Sequence, residues 1–234
     1  SQRTIAWATV SLIVSCIVHQ PFERGLCGIT GKDTYFATGC NIGFSEGELR
    51  MSDVGIGLVG GGYMGKAHAV ALSAVAALFD TALRPRLEVI AASTPASAAR
   101  YAKSYGFARA TADWRDLVAD PKVQAVVIAS PQETHRAIAE AAFAAGKPVF
   151  CEKPLGASLD DAKAMTAAAE TSGLANMIGF NYVRTPATQF VRQLLAEGAI
   201  GTVTWFRGEH TEDFMADPQG PANWRTSGRA NGCM

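Results

Sequence analysis

A glycine-rich turn between an apolar segment and an alanine-rich segment constrains the fold of this chain most strongly. Residues Val54–Val59 have the length and composition of a buried strand, and residues 66–79 predict a helix. Between them the sequence matches G-x-G-x-x-G, the pattern of a dinucleotide-binding turn when it joins a strand to a helix. Gly60 would allow a tight turn, Gly62 a close approach of the backbone to a pyrophosphate, and Gly65 close packing of helix on strand. The candidate cofactor-binding residues of this turn are Gly60, Gly62, Tyr63, Met64 and Gly65. The alternative is a plain glycine-rich turn in another α/β protein.

The second predicted strand, residues 87–92, ends in hydroxyl side chains. Folds that prefer NAD often carry Asp or Glu at this point, where the carboxylate binds the ribose 2′-hydroxyl. Ser93 and Thr94 stand here instead, with Arg100 nearby, and such residues would tolerate a 2′-phosphate. The sequence therefore favours NADP slightly over NAD, although the long connection before this strand leaves the alignment open by one residue. The arginines that we expect to be solvated loop charges rather than phosphate ligands are Arg84 and Arg86.

Strands and helices continue to alternate along the chain. Residues 113–118 predict a short amphipathic helix, and residues 123–129 a nearly continuous apolar strand. A helix beginning at Glu133 or Thr134 and ending at Gly146 leads to a strand at 149–151. This order is typical of a doubly wound parallel sheet, which binds ligands at the carboxyl ends of its strands. The residues expected to converge there are Gly60, Ser93, Ser130 and Lys153.

Charge and cysteine content argue against several functional classes. The 234 residues include 21 basic and 21 acidic side chains, whereas nucleic-acid binders usually carry a basic surplus. The five cysteines lack the short regular spacing of a disulfide framework or a zinc site. The apolar run near the amino terminus, about fifteen residues, is shorter than a membrane span. We therefore expect a cytoplasmic protein with no nucleic-acid, membrane or metal partner.

Residues 1–50 differ in character from the rest of the chain. They begin with Ser, contain three of the five cysteines and show no clear helical or strand periodicity. We interpret Met51 as the natural start and residues 1–50 as translated upstream sequence. A leader or signal sequence, or a genuine amino-terminal extension, are the alternatives.

Three segments together resemble one enzyme family. They are GLVGGGYMGKAHA (57–69), IASPQETHRAIAEAAFAAGKPVFCEKPLG (128–156) and NMIGFNYVRTPA (176–187). In this order they are similar to the glucose–fructose oxidoreductase / inositol dehydrogenase / MocA family. The resemblance implies an α/β protein with an NAD(P)-binding Rossmann domain (51–175) and a carboxyl-terminal α/β domain with an open, mostly antiparallel sheet. Residues 176–234 would form part of that second domain. It also implies oxidation of a sugar or polyol hydroxyl, or reduction of the corresponding carbonyl.

The same resemblance assigns roles to single residues. Lys153 would be the active-site lysine that binds the reacting oxygen, and Glu152 would contact the nicotinamide ribose or hold the lysine. Ser130, Pro131 and His135 would line the nicotinamide half of the cleft. The candidate substrate contacts are Tyr182, Arg184 and His210. Cys151 lies within a predicted buried strand and is expected to be inert.

The sequence after residue 157 predicts further elements. Ser158 and Asp161 predict a capped helix at 159–172, followed by strands at 176–182 and 202–207. A helix from Pro186 to Gly198 lies between these strands, and its apolar face, expected in the core, comprises Phe190, Val191, Leu194 and Leu195. Glu212 and Asp213, near His210, are expected either to face substrate or to be solvated. The pair Trp224–Arg225 matches one near the family's cleft.

The family's D-x-x-x-H segment, whose Asp and His complete the catalytic set, does not occur in the sequence. We therefore expect a fragment with little turnover of its own, from a complete protein that forms homo-oligomers. Two other functions stay open at this point: a non-catalytic NAD(P)-binding regulator, and a reductase of an imine or a dihydrodiol.

Overall fold

A six-stranded parallel sheet carries the part of the chain that the computed structural model describes, residues 52–79, 81, 83–211, 217, 219 and 220. The strand order is β3-β2-β1-β4-β5-β6, and all paired strands are parallel. This arrangement confirms the predicted Rossmann architecture, in which the strand order reverses between β1 and β4. The strands are β1 (Ser52–Val59), β2 (Leu83–Ala91), β3 (Arg109–Thr111), β4 (Ala125–Ile128), β5 (Val149–Cys151) and β6 (Asn176–Ile178).

Helices cover both faces of the sheet. They are α1 (Tyr63–Leu78), α2 (Pro95–Tyr105), α3 (Trp114–Ala119), α4 (His135–Ala144), α5 (Leu159–Ser172) and α6 (Pro186–Ala196). On one face, Leu72 of α1 packs with Leu58 and Val127 of the sheet. On the other face, Ile138 of α4 packs with Val126 and Ile128. Successive residues of a strand point to opposite faces, so burial on both sides explains the nearly continuous apolar sequence of β4.

Local signals set the helix ends. Ser158 accepts a hydrogen bond from the backbone N–H of Asp161, as its sequence position predicts, and α5 ends before Gly173 at φ +63°. Thr94 caps α2 in the same way through the N–H of Ser97, with Pro95 at the first helical position. At a positive φ such as that of Gly173, glycine avoids the steric cost that a Cβ brings. The predicted bounds 159–172 therefore agree with the structure.

Strand β2 begins earlier than the sequence predicted. Arg84 and Arg86 lie within it and not in a loop: Arg84 donates to the carbonyl oxygen of Ala76, and Arg86 pairs with the buried carboxylate of Glu88. Pro85 also lies in this strand and lacks an N–H. Strand β3 pairs only with the last three residues of β2, so the proline faces an unpaired edge where no donor is needed.

The elements after α5 differ from the predictions. β6 spans only Asn176–Ile178 and pairs in parallel with β5, so the Rossmann sheet continues past residue 175; a 3₁₀ turn at Asn181–Arg184 replaces the rest of the predicted strand. Residues 202–207 form no strand, and Trp205 and Phe206 are exposed. Strand formation needs a hydrogen-bonding neighbour, and none of the described segments pairs with these residues. The described residues accordingly contain no antiparallel sheet.

Helix α6 forms as predicted, but its apolar face is not in a core. Phe190, Val191 and Leu195 are exposed, and Leu194 is half-buried. The amphipathic pattern sets the helix, whereas burial needs a packing partner, which the described part of the chain does not supply for this face. Among the described residues, no helix combines the length and apolar character required to cross a bilayer. The predictions for residues 1–51, Glu212, Asp213 and Trp224–Arg225 lie outside the described residues.

Candidate active site

The segments that follow four of the strands are joined in a row along the carboxyl edge of the sheet. The N–H of Gly60, after β1, donates to Ala91 of β2 (2.9 Å), and Ala129, after β4, donates to Val59 of β1 (2.8 Å). Along the same edge, the backbone N–H of Glu152 donates to the carbonyl oxygen of Ile128 (2.9 Å), and the N–H of Gly179 donates to that of Cys151 (2.8 Å). The residues predicted to converge therefore follow neighbouring strands at one edge.

The glycine turn holds the backbone at distances that exclude side chains. A Cβ at Gly65 would lie 2.0 Å from the carbonyl oxygen of Gly60, so α1 packs directly on the turn. Gly60 has φ +98°, and a Cβ there would lie 2.6 Å from the backbone of Ala129. A Cβ at Gly62 would meet nothing within 4 Å, so this position opens to space in front of the helix.

The amino terminus of α1 is free of side-chain caps. Gly62 is its N-cap, no side chain among the described residues caps its first N–H groups, and no acidic residue lies in its first turn. Tyr63, largely exposed, and Met64, half-buried, occupy that turn. Unsatisfied N–H groups and the helix dipole together favour an anionic ligand.

Two tyrosines of α2 support the turn from the side. The hydroxyl of Tyr105 donates to the carbonyl oxygen of Gly61 (2.8 Å), and the ring of Tyr101 lies where a Cβ at Gly61 would be, at 2.2 Å. The two rings stack with centroids 5.5 Å apart. Sequence reasoning missed these residues, although their spacing of four in a helix places them on one face.

At the end of β2, Ser93 is exposed, whereas the hydroxyl of Thr94 is engaged in the cap of α2. The guanidinium of Arg100 lies 5.0 Å from the ring centroid of Tyr101. No carboxylate occurs between the end of β2 and Pro95.

At the end of β4, a small hydrogen-bonded turn surrounds Pro131. Ser130 Oγ lies 2.6 Å from Thr134 Oγ1, which donates to the carbonyl oxygen of Pro131. His135 is buried behind this turn. Its Nε2 lies 2.9 Å from the carbonyl oxygen of Ser130, and its Nδ1 lies 3.1 Å from that of Pro154. His135 therefore joins two segments of the edge.

The segment after β5 carries Glu152 and Lys153. Glu152 is buried, and its Oε1 lies 2.8 Å from Nε2 of the fully buried His68 on α1. Lys153 is exposed, and its backbone N–H donates to Glu152 Oε2 at 3.2 Å. The contact between His68 and Glu152 was not predicted, although the sequence pattern places His68 on the first turns of the helix.

Cys151 is buried within β5, as predicted, and its environment opposes ionisation. Burial, together with the neighbouring charge of Glu152, raises the pKa of its thiol to about 12. Because the thiolate is the reactive form, this cysteine is not suited to nucleophilic chemistry.

Two of the three predicted substrate residues lie together. The rings of Tyr182 and His210 meet edge to face with centroids 6.0 Å apart. Tyr182 and Arg184 lie in the exposed 3₁₀ turn after β6. Among the described residues, no three His, Cys, Asp or Glu side chains are grouped in a way that could hold a metal ion.

Comparison with known proteins supports the identity of this fold. Residues 54–180 match the family model described as an oxidoreductase family with an NAD-binding Rossmann fold. Levoglucosan dehydrogenase of Pseudarthrobacter phenanthrenivorans is 43% identical over 176 residues, which are 75% of this chain and 45% of that protein. Inositol 2-dehydrogenase of Rhizobium meliloti is 35% identical over 150 residues, 64% of this chain and 43% of that protein.

Solved structures give the same result. A levoglucosan dehydrogenase in complex with NADH and levoglucosan matches with a TM-score of 0.74 and 40% identity, over 77% of this chain and 49% of that one. The chain thus spans about half the length of the relatives that it matches. Its sequence and its six-stranded sheet place it in the glucose–fructose oxidoreductase / inositol dehydrogenase / MocA family of NAD-binding oxidoreductases.

Proposed function

We propose that this chain supplies the NAD-binding site and the active-site lysine of an oxidoreductase that acts on a CH–OH group of a sugar or polyol. The observation that carries the proposal is the row of strand ends along one edge of the sheet. It brings the glycine turn, Ser130 and the Glu152–Lys153 segment to one edge of the sheet. In a doubly wound sheet, ligands bind at the edge where the strand order reverses.

The glycine turn fits a dinucleotide. Gly62 leaves open space, and the uncapped helix start offers N–H groups, as a pyrophosphate requires. The candidate cofactor contacts are Gly60, Gly62, Tyr63, Met64, Gly65, Ser93, Thr94, Ser130, Pro131, His135, Glu152 and Lys153. Thr94 would act through the start of α2, because its hydroxyl already caps that helix. His135 would act by holding the Ser130 and Pro154 segments in place.

Two observations bear on the choice between NAD and NADP. The family model and the NADH complexes of levoglucosan dehydrogenase support NAD. The end of β2 carries hydroxyls, with Arg100 one turn along α2, and no carboxylate that would repel a 2′-phosphate. We therefore propose that the site accepts NADP beside NAD.

The residues of the chain have distinct parts in the reaction. When bound, NAD would supply the acceptor for the hydride that leaves the substrate carbon, and the hydroxyl proton of the substrate would pass to a general base. Lys153, exposed at the end of β5, would donate a hydrogen bond to the substrate oxygen and orient it. Tyr182, Arg184 and His210 would contact substrate hydroxyls. The relatives named as levoglucosan and inositol dehydrogenases support a cyclic polyhydroxy substrate.

The test is a measurement of binding and turnover on the protein as its gene encodes it. NADH and NADPH are titrated separately by thermal shift, and NAD(P)-dependent oxidation is followed with levoglucosan, inositols and a sugar panel. We expect Lys153→Met to remove turnover but to weaken NADH binding only slightly, because Lys153 is one of many proposed cofactor contacts. Lys163→Met, which removes an exposed lysine of α5, is the matched control and should keep both. If neither NADH nor NADPH stabilises the fold, the proposal is overturned, because a ligand bound only by the folded state must raise its stability.

A cytoplasmic location and a homo-oligomeric assembly of the complete protein stay predictions.

A further inference from the structure

A buried polar contact joins the helix of the glycine turn to the segment that carries the lysine. His68 lies on α1, six residues after Gly62, and its side chain is 1% exposed. Its Nε2 lies 2.8 Å from Oε1 of Glu152, whose side chain is 6% exposed. The contact therefore spans from α1 to the end of β5 through the interior of the fold.

The ring of His68 is fixed in one orientation. An ionised carboxylate can only accept, so Nε2 carries the hydrogen of this bond. Nδ1 is buried and has no hydrogen-bond partner among the described residues, which suits a bare acceptor nitrogen. The ring also meets Phe150 edge to face, with centroids 5.0 Å apart. The hydrogen bond to Glu152 and the contact with Phe150 together hold the ring between α1 and β5.

The carboxylate of Glu152 is held on three sides. His68 donates to Oε1, and the backbone N–H of Lys153 donates to Oε2 at 3.2 Å. On the third side stands Gly179, where a Cβ would lie 3.1 Å from the carboxylate. A shift of the carboxylate would therefore release the Lys153 backbone, and a shift of His68 would release the carboxylate.

We propose that His68 is a positioning residue for Lys153, acting through the Glu152 carboxylate. This inference rests on the proposed function, because it concerns the lysine of that site. It gives the buried pair a purpose beyond packing, since replacing a buried ion pair by apolar groups of similar volume is often neutral or stabilising. It also ties the helix that faces the pyrophosphate to the residue that faces the substrate.

The first test measures the Lys153 segment without any cofactor. Amide hydrogen exchange is compared among the wild type, His68→Gln and His68→Asn. The Gln amide nitrogen can reach the position of Nε2, whereas the Asn amide is one methylene shorter. We expect exchange at Lys153 to be about tenfold faster in His68→Asn and close to wild type in His68→Gln. Val75→Ala, which loosens the buried face of α1 without touching Glu152, should leave Lys153 unchanged.

Equal exchange at Lys153 in the wild type and His68→Asn would overturn the proposal. Failure of His68→Gln to restore protection would overturn it too. Where His68→Asn does not fold, His68→Phe replaces it, because phenylalanine fills the ring volume without a donor.

The second test measures turnover of the same variants, made in the protein as its gene encodes it. We expect kcat to fall on the order of 10- to 100-fold in His68→Asn, with the substrate KM little changed and with recovery in His68→Gln, because small displacements of a catalytic group cost rate. A loss of kcat without faster exchange at Lys153 would contradict the proposed route. If the wild type shows no NAD-dependent turnover on any substrate, the proposed function fails, while the exchange measurements still decide whether His68 positions Lys153.

Discussion

His135 Nε2 lies 2.9 Å from the carbonyl oxygen of Ser130, and the same ring reaches the Pro154 and Leu155 carbonyl oxygens through Nδ1. The ring is 1% exposed. All three facing atoms are backbone acceptors, so the ring nitrogen that carries the hydrogen donates to one segment while the ring packs against the other, and the imidazole thereby bridges the segments that follow β4 and β5. These are the segments that carry Ser130 and Lys153.

Removal of this connector is expected to weaken both the fold and cofactor binding. His135→Ala leaves a cavity and removes the ring N–H from the carbonyl group that accepts it, so the free energy of unfolding should fall by about 2–3 kcal/mol. NADH affinity should fall as well, because the two segments are no longer held at one distance. Urea unfolding and NADH titration measure the two effects. Thr166→Val, which removes an exposed hydroxyl of α5 whose hydrogen bond stays within that helix, is the control, and an unchanged unfolding free energy in His135→Ala would contradict the connector role.

Two glycine substitutions separate cofactor binding from stability. A Cβ at Gly62 meets none of the described residues but would stand in the space before α1, so Gly62→Ala should cost only about 0.5–1 kcal/mol, because alanine is a poorer N-cap than glycine. Its NADH affinity should fall at least about tenfold, because the backbone can no longer approach the pyrophosphate closely. Calorimetric titration with NADH measures this change.

Gly146→Ala is expected to show the opposite pattern. Gly146 lies after α4 at φ +72°, where a Cβ costs about 1–2 kcal/mol. Unfolding should therefore become easier while NADH affinity stays unchanged. Equal loss of affinity in Gly62→Ala and Gly146→Ala would mean that Gly62 does not face the cofactor.

The sequence predicted those parts of the fold that depend on local signals. The bounds of α5 follow from Ser158 at its start and Gly173 at its end, and β5 was predicted at the residues where it occurs. Alternation of apolar strands with helices was enough to infer the parallel sheet. The glycine spacing identified the turn, where Gly60 and Gly65 leave no room for a Cβ.

Features that depend on distant partners were not predictable in this way. His68 and Glu152 are 84 residues apart in the sequence. The helical pattern predicts that His68 lies on α1, but it does not indicate which distant residue will hydrogen-bond with it. The segment 202–207 has the alternation of a strand but no pairing partner among the described residues. The spacing of apolar residues in α6 predicts a helix, but it does not indicate whether another element packs on that apolar face.

Cys151 is expected to be unreactive in the folded protein. With a pKa of about 12 caused by burial and the Glu152 charge, about one thiol in ten thousand is ionised at pH 8. Iodoacetamide should therefore leave Cys151 unmodified in native buffer and modify it in urea, as read by mass spectrometry of its peptide. Rapid native alkylation at Cys151 would show that β5 opens on the time scale of the reaction.

The last prediction concerns acid stability at the opposite edge of the sheet. Arg109, at the start of β3, binds both Asp120 and the buried carboxylate of Glu88. The hydrogen bond from Arg109 lowers the pKa of Asp120 below its ordinary value of 3.8, and the hydrogen bond from the Lys122 N–H lowers it further. Partial desolvation opposes this shift but does not cancel it. The folded chain thus binds this proton more weakly than the unfolded chain does. The resulting stability is present above the unfolded pKa and is lost as the pH falls through the lowered folded pKa.

Asp120→Asn should therefore flatten the decline of unfolding free energy below about pH 4, at the cost of lower stability at pH 7. Arg109→Gln should also flatten it, because Asp120 then returns toward its ordinary pKa. Because both substitutions remove the contact between Arg109 and Asp120, their effects on the free energy of unfolding should be less than additive in the double variant. Urea unfolding at a series of pH values measures each curve. An acid decline in Asp120→Asn as steep as that of the wild type would show that other carboxylates, and not this pair, set the acid limit of the fold.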